Sequence, residues 1–259
     1  MNSRETLLHG LSSVAQHSTH RRRTSRIDQA TREGGLSAGI RELLSEKNTP
    51  EVIWDGDPAV TQNIAENKPV ILISNHPRLI EPFVFLSQLP SRDDIVAVGQ
   101  GGVQHLFGKE IGQRVIPVYH ASLRETPIKR QERQTRNNEQ MERAMATLEA
   151  RGAVYIAPNG GGIDGEWKRG VATLMEVALR MYEAYYLMAH VEGSQPWEPV
   201  RLLLNADLKR AVRISQPTNV RDLPIPSTVK ELPAGSKEKH RAISQHLEAH
   251  YKNWFNKES

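Results

Sequence analysis

The chain contains no cysteine. That excludes disulfides, a thiol nucleophile and a zinc–thiolate centre, and it suits a reducing compartment. Long apolar runs are missing as well. The greasiest stretch, Ala178 to Val191, is interrupted by Arg180, Glu183 and His190, so no uninterrupted run reaches the roughly eighteen residues that a membrane-spanning helix needs. Residues 1 to 35 lack the apolar core of a secretory signal; they are polar, with Arg21, Arg22, Arg23 and Arg26 clustered. There is no G-x-x-x-x-G-K-[S/T] loop, and no tight His/Asp/Glu metal cluster.

What remains is a chain of 259 residues with a formal charge of +4 and a pI near 9.3. That length predicts one domain of moderate size plus an extension. Residues 1–48 read as a basic N-terminal extension with a short helix, capped at Ser37 and presenting Ile40, Leu43 and Leu44. Residues 49–259 read as an α/β domain, its sheet mixed or mostly parallel and covered by helices. The modest basicity suits anionic partners in general: a phospholipid surface, a phosphorylated substrate or an acidic carrier protein.

Along that domain, residues 51 to 70 read as a short strand, a turn at Asp55–Pro58 and a lead-in to the next strand. DIVAVGQGG and RVIPVY (114–119) read as strands, with a short helix around Val103, Leu106 and Phe107 between them. A cation-rich helix follows, with Met141, Ala144, Met145 and Leu148 at apolar spacing and a stop at Gly152. AVYIA (153–157) is a strand leading into a glycine-rich turn. A long buried helix is expected from about Arg169 through His190. PVRLLL (199–204) and AVRIS (211–215) read as strands, 216 to 235 as irregular, and 236 to 255 as an amphipathic helix with Ile243, Leu247, Tyr251 and Trp254 on one face. GGGIDG, residues 160 to 165, matches G-x-G-x-x-G, but EWKRG follows where a helix should begin and the match lies past the first strand–helix unit, so it does not read as a dinucleotide site.

The organising stretch is PVILISNHPRLIEPFVFLSQLP, residues 69 to 90. Val70 to Ser74 form a short apolar run that reads as a buried strand, and Pro82 fits the first turn of a helix that buries Phe83 to Leu86. His76 and Glu81 are five residues apart, about 500° of helical rotation, so one continuous helix cannot pair them. A strand–turn–helix junction can. An imidazole oriented by a carboxylate is a general base.

NHPRLIEP resembles the N-H-x-x-x-x-D-P block of the glycerophospholipid acyltransferases, the superfamily of glycerol-3-phosphate and lysophosphatidic-acid acyltransferases; Glu81 stands where that block has Asp. The order of later blocks is similar over about residues 50 to 217. IPVYH (116–120) resembles I-P-V-x-R with His120 in place of Arg. Ala157–Pro158–Asn159–Gly160–Gly161–Gly162 resembles F-P-E-G-T-R, Trp167–Lys168–Arg169–Gly170 resembles F-K-x-G, and Glu198–Pro199–Val200 resembles a fourth V-P-V block.

The resemblance implies a glycerolipid-acyltransferase-like fold. It also implies transfer of a fatty acyl group from an acyl-CoA or acyl carrier protein thioester to a hydroxyl of a glycerol-phosphate or lysophospholipid-type acceptor. In that reading His76 is the base, Glu81 holds its ring, and no metal or bound cofactor is required. Asn75 and Arg78 within the block, together with His120 and Asn159, become substrate-binding candidates. Because two Arg positions are replaced, Arg114, Arg124 and Lys168 are the cations available to an acceptor phosphate, with the backbone N–H groups of Gly160, Gly161 and Gly162 as further donors. The expected location is cytoplasmic or peripheral on a membrane, with no nucleic acid as partner. Two alternatives stay open: the same chemistry on a non-phosphate or amine lipid acceptor, and a non-catalytic lipid- or RNA-binding module that uses the basic N-terminus.

Overall fold

The computed structural model describes residues 18–44, 50–75, 81–100, 107–119, 125–158, 167–192 and 211–256. In chain order these form α1 (Ser18–Leu44), β1 (Glu51–Trp54), α2 (Pro58–Asn67), β2 (Val70–Ser74), α3 (Glu81–Leu86), β3 (Ile95–Gln100), α4 (Lys109–Gln113), β4 (Val115–Val118), α5 (Pro127–Glu149) and β5 (Ala153–Ile156). Then follow α6 (Arg169–Arg180), β6 (Tyr185–Val191), β7 (Ala211–Ile214), β8 (Thr218–Asn219), a 3-10 turn (Val220–Asp222), α7 (Ser227–Lys230) and α8 (Lys237–Asn256). The strands make one eight-stranded sheet in the order β1-β7-β6-β2-β5-β3-β4, with β8 also pairing β6. β6, β2, β5, β3 and β4 run parallel to one another; β7 and β8 run antiparallel to β6, and β1 runs parallel to β7. The expected mixed, mostly parallel α/β sheet is present.

β2 lies between β6 and β5 at the centre, and Val70 to Ile73 are at most 1% exposed. Such a strand reads as a continuous apolar run because both faces are covered. Val70 and Leu72 pack toward α1, α3 and α4, against Leu36, Ile40, Phe85 and Ile111. Ile71 and Ile73 pack toward α5, α6 and α8, against Leu148, Leu174, Met175 and Leu247. Each fully buried side chain of this kind is worth about 1.5–3 kcal/mol relative to exposure.

Three sequence expectations change. The stretch expected as a turn and lead-in to β2 is the helix α2, with Pro58 in its first turn and Asp57 capping it through a hydrogen bond from the Ala59 N–H at 2.8 Å. The cap and the proline are helix-start signals. The long buried helix expected up to His190 is in fact α6, ending at Arg180, followed by the inner strand β6. A short apolar run cannot be assigned by periodicity alone, and here pairing with β2 decides it.

The third change concerns α1, which at 27 residues is longer than the short helix expected. Ile27, Leu36, Ile40, Leu43 and Leu44 belong to the core of the α/β domain. α1 breaks at Gly34–Gly35, and Gly35 has φ +74. A Cβ at that glycine would overlap the Arg92 carbonyl oxygen, which lets the helix lie directly on the start of β3. The expected strand 199–204, the helical residues around Val103 and Leu106, and residues 1–17 and 45–49 of the N-terminal segment lie outside the described residues.

α8 is fastened to α6 by a buried polar network. His240, 3% exposed, accepts at Nδ1 from Arg169 Nε at 2.7 Å and pairs through Nε2 with Glu176 Oε2 at 2.8 Å. Since Arg169 can only donate, the imidazole there is the Nε2–H tautomer donating to Glu176. The Gly235 N–H also donates to Glu176, and Lys239 Nζ lies 3.5 Å from its carboxylate. Burial works to raise the Glu176 carboxyl. The bond from His240, the Gly235 N–H and the charge of Lys239 outweigh it and hold the group below the usual carboxylate range.

A carboxyl depressed in the folded state contributes stability that is present above its unfolded value, about 4.3, and is lost as pH falls through the folded value. Glu176→Gln should therefore lower stability at neutral pH by about 1–3 kcal/mol, and its gap to wild type should close on acidification. Denaturant titrations at several pH values test this; a gap constant from neutral to strongly acid pH rules the network out as its source.

Candidate active site

In a parallel sheet the chain leaves each strand at the carboxyl edge, and open clefts form there. At that edge of β2 sit Ser74 and Asn75, and α3 begins with Glu81. The intervening residues 76–80 lie outside the described residues. The Glu81 side chain belongs to a residue 0% exposed. Arg41 of α1 grips the opposite end of α3, donating to the Ser87 carbonyl at 3.2 Å and the Leu89 carbonyl at 2.6 Å.

Next to Glu81 lies a hydroxyl pair that sequence reasoning missed. Tyr155 of β5 is 1% exposed, and its hydroxyl lies 2.9 Å from Ser74 Oγ. Ser74 Oγ in turn donates to the Asn75 carbonyl at 2.9 Å, so the shared contact is Tyr155 O–H donating to Ser74. Burial, and secondarily the charge of Glu81, push the Tyr155 phenol well above the ordinary tyrosine range, against the lowering effect of Ser74. The phenol therefore stays protonated and donates. A tyrosine inside a fully buried strand such as AVYI was the available signal, since a buried Tyr hydroxyl needs a partner.

Asn75 is clamped. Its Nδ2 donates to the Val191 carbonyl at 2.9 Å and its Oδ1 accepts from the Val191 N–H at 2.8 Å. The side chain thus extends the β2–β6 pairing beyond the last backbone rung, Ser74 opposite Ala189. An equivalent clamp holds the exit of β4, where Asn137 of α5 accepts from the Tyr119 N–H at 2.8 Å and donates to the Tyr119 carbonyl at 2.9 Å. Nothing in the polar helix sequence singles out Asn137.

The other expected site residues divide. Lys168 stands at the same sheet edge: its N–H bonds the Pro158 carbonyl at 2.7 Å, just beyond β5, and its side chain is exposed. Arg114 is not brought to that edge. Its guanidinium donates to the Asp93 carbonyl, reaches the Thr31 carbonyl at 3.5 Å and pairs with the Asp93 carboxylate, all at the start of β3. His76, Arg78, His120, Arg124, Asn159, Gly160, Gly161 and Gly162 lie outside the described residues. Beside Arg124, Glu125 takes a bidentate bond from Arg133 at 2.7 and 2.9 Å. That hydrogen bond holds its carboxyl below the usual range. Among the described residues no three His, Asp or Glu side chains converge as a metal site, and no helix is long and apolar enough to cross a membrane.

The Tyr155–Ser74–Asn75 chain makes a definite prediction. Ser74→Ala should cost about 1–3 kcal/mol, because it leaves the buried Tyr155 hydroxyl without its acceptor. Adding Tyr155→Phe to that variant removes the stranded donor and should cost nothing further, or recover part of the loss. Chemical denaturation of the two singles and the double measures it; strictly additive losses would contradict the linkage.

No protein-family model matches the chain, and no curated protein does. Among solved structures the chain is similar to the crystal structure of the 1-acyl-sn-glycerophosphate (LPA) acyltransferase PlsC from Thermotoga maritima, at 13% sequence identity and a TM-score of 0.46, over 98% of this chain and 90% of that one.

Proposed function

We propose that the protein transfers a fatty acyl group from a thioester of coenzyme A or an acyl carrier protein to a hydroxyl of a glycerolipid-type acceptor. The observation that carries this reading is the burial of Glu81 at the head of α3, at the sheet edge where β2 ends. Between them the sequence NHPRLIEP supplies a histidine next after the clamped Asn75. The resemblance of that block to glycerophospholipid acyltransferases names the chemistry.

In this reading neutral His76 takes the acceptor hydroxyl proton as the oxygen bonds to the thioester carbonyl carbon. The carbon–sulfur bond then breaks, and the imidazolium returns the proton to the departing thiolate. Glu81 keeps the ring in one tautomer and stabilises the imidazolium, the orienting part of a triad acid. Backbone N–H groups near the turn serve the oxyanion. The exposure of Lys168 at the same edge supports a role for it in meeting an acceptor phosphate. The phosphate-free or amine lipid remains the alternative acceptor, and contact with a lipid surface is peripheral in either case.

Labelled acyl thioesters incubated with a panel of glycerol-phosphate, lysophospholipid and amine lipid acceptors test the proposal. His76→Ala should reduce turnover at least about a hundredfold while the thermal melt stays cooperative; near wild-type turnover in a folded variant would sink the mechanism. The rate should also fall at acid pH, because an imidazole titrating near about 6.5 accepts a proton only when neutral.

Glu81 gives a sharper comparison. Glu81→Gln keeps the size and loses the charge, so the developing imidazolium loses its partner. Glu81→Asp keeps the charge and shortens the reach by about 1.5 Å, one C–C bond, and a displacement near 1 Å can cost about a hundredfold. Both variants should lose turnover. If Glu81 only caps α3, Asp serves as well and both should behave like wild type.

A further inference from the structure

We propose that the N-terminal part of α5, residues 127–136, is a docking surface for an anionic lipid membrane. α5 runs back along the sheet, from the carboxyl edge where β4 ends to the amino edge where β5 begins. Asn137 stands level with the exit of β4, because its side-chain amide bonds both backbone groups of Tyr119. The residues before it therefore carry the helix past that exit, by about 15 Å at 1.5 Å per residue. The burial pattern agrees. Ala144 and Leu148 are buried and Met141 and Met145 pack on the core, whereas from Pro127 to Arg136 every residue except Arg133 is exposed.

The projecting part is basic. Lys129, Arg130, Arg133 and Arg136 stand there against two carboxylates, Glu125 and Glu132. Arg133 spends its charge on Glu125 through the bidentate bond. Arg130 keeps its side chain 62% exposed, 3.9 Å from the same carboxylate. Among the described residues neither Lys129 nor Arg136 has an ion-pair partner. The helix gains nothing from this order, since its first turn holds no acid and its last turn no base, the reverse of what the helix dipole favours. Neither the dipole nor an internal ion pair accounts for Lys129 and Arg136, and an anionic partner outside the chain does.

Ile128, 72% exposed, decides what kind of partner. An apolar side chain at the projecting end, with cations beside it, suits a lipid interface: the isoleucine enters the acyl boundary while the cations meet headgroup phosphates. A protein partner would need an apolar contact core, and the stretch offers no second large apolar side chain. The surface lies on the sheet edge that also carries Asn75 and Lys168, so a membrane held there borders the candidate site.

Cosedimentation of the full chain with vesicles tests this, comparing an equal mixture of phosphatidylcholine and phosphatidylglycerol with phosphatidylcholine alone. The wild type should partition onto the anionic vesicles at least about tenfold more strongly, and about 1 M salt should release it, because screening then acts within about 3 Å. A cation near an anionic surface contributes about fivefold, so the triple variant Lys129→Gln, Arg130→Gln, Arg136→Gln should lose at least about tenfold. Ile128→Ser should lose about threefold or more. Glutamine keeps helix propensity close to that of Lys and Arg, and thermal melts confirm the fold. The control removes three cations at the amino edge, Arg151→Gln, Arg180→Gln and Arg221→Gln, where Tyr182 is 89% exposed; it should bind like wild type. No preference for anionic vesicles, an equal loss in both triple variants, or full binding by the α5 variant overturns the proposal. If the wild type ignores vesicles and an acidic carrier protein binds it but not the α5 variant, the surface docks protein and the lipid assignment fails. Binding is read without substrate, so its outcome is separate from that of the acyl-transfer assays.

Discussion

The bond between the Asn75 side chain and the backbone of Val191 is the constraint on which the carboxyl edge of the sheet depends. A parallel strand must leave its sheet at one end, and the last residues there have no further rung to hold them. Asn75 supplies an amide in the place of a peptide group, one donor and one acceptor at the right separation. The chain therefore stays in register one residue longer than the backbone pairing alone would hold it. Asn137 does the same for Tyr119 at the exit of β4. Two of the sheet's exits on this edge are thus set by asparagines reaching out to a neighbour's backbone.

Around that clamp the buried polar groups divide by face. On the face covered by α1 and α3, Tyr155 and Ser74 hold the Asn75 carbonyl, with Glu81 alongside. On the face covered by α6 and α8, Tyr251 and His190 close the other side. Buried hydroxyls and imidazoles are tolerable only when bonded, and each of these is. The result is a polar seam through the core at the end of β2, next to the sequence NHPRLIEP. α8 also reaches α6 through His240, Glu176 and Arg169, so one helix braces both the exit of β2 and the segment that carries Lys168.

Much of this arrangement could be read from the chain beforehand, and the failures have specific causes. β2, β3, β4, β5 and β7 were legible because short β-branched runs between turn residues have few other uses. α8 was legible from the spacing of Ile243, Leu247 and Tyr251. β6 was not: Tyr185 to Val191 is buried on both faces, and such a run carries no period to distinguish strand from helix. α2 was passed over although Asp57 and Pro58 announced it. The core role of α1 was half legible, in Ile40, Leu43 and Leu44, but Ile27 lies beyond the Gly34–Gly35 break and joins the core only because that break redirects the helix.

By itself the sequence determined the α/β class, the buried strand β2 and the helix start at Glu81–Pro82. Apolar periodicity and a helix-start proline are local properties that any compact packing must respect. Only the tertiary structure decided that Arg114 faces Asp93 and Thr31 while Lys168 stands at the site edge, and that Asn75 spends its amide on Val191. It alone brought Tyr155, Asn137 and Tyr251 to the exits of β2 and β4. Those partners are separated from the residues they hold by anything from 18 to 116 positions. Contacts at that range depend on strand order and register, which a linear pattern does not encode.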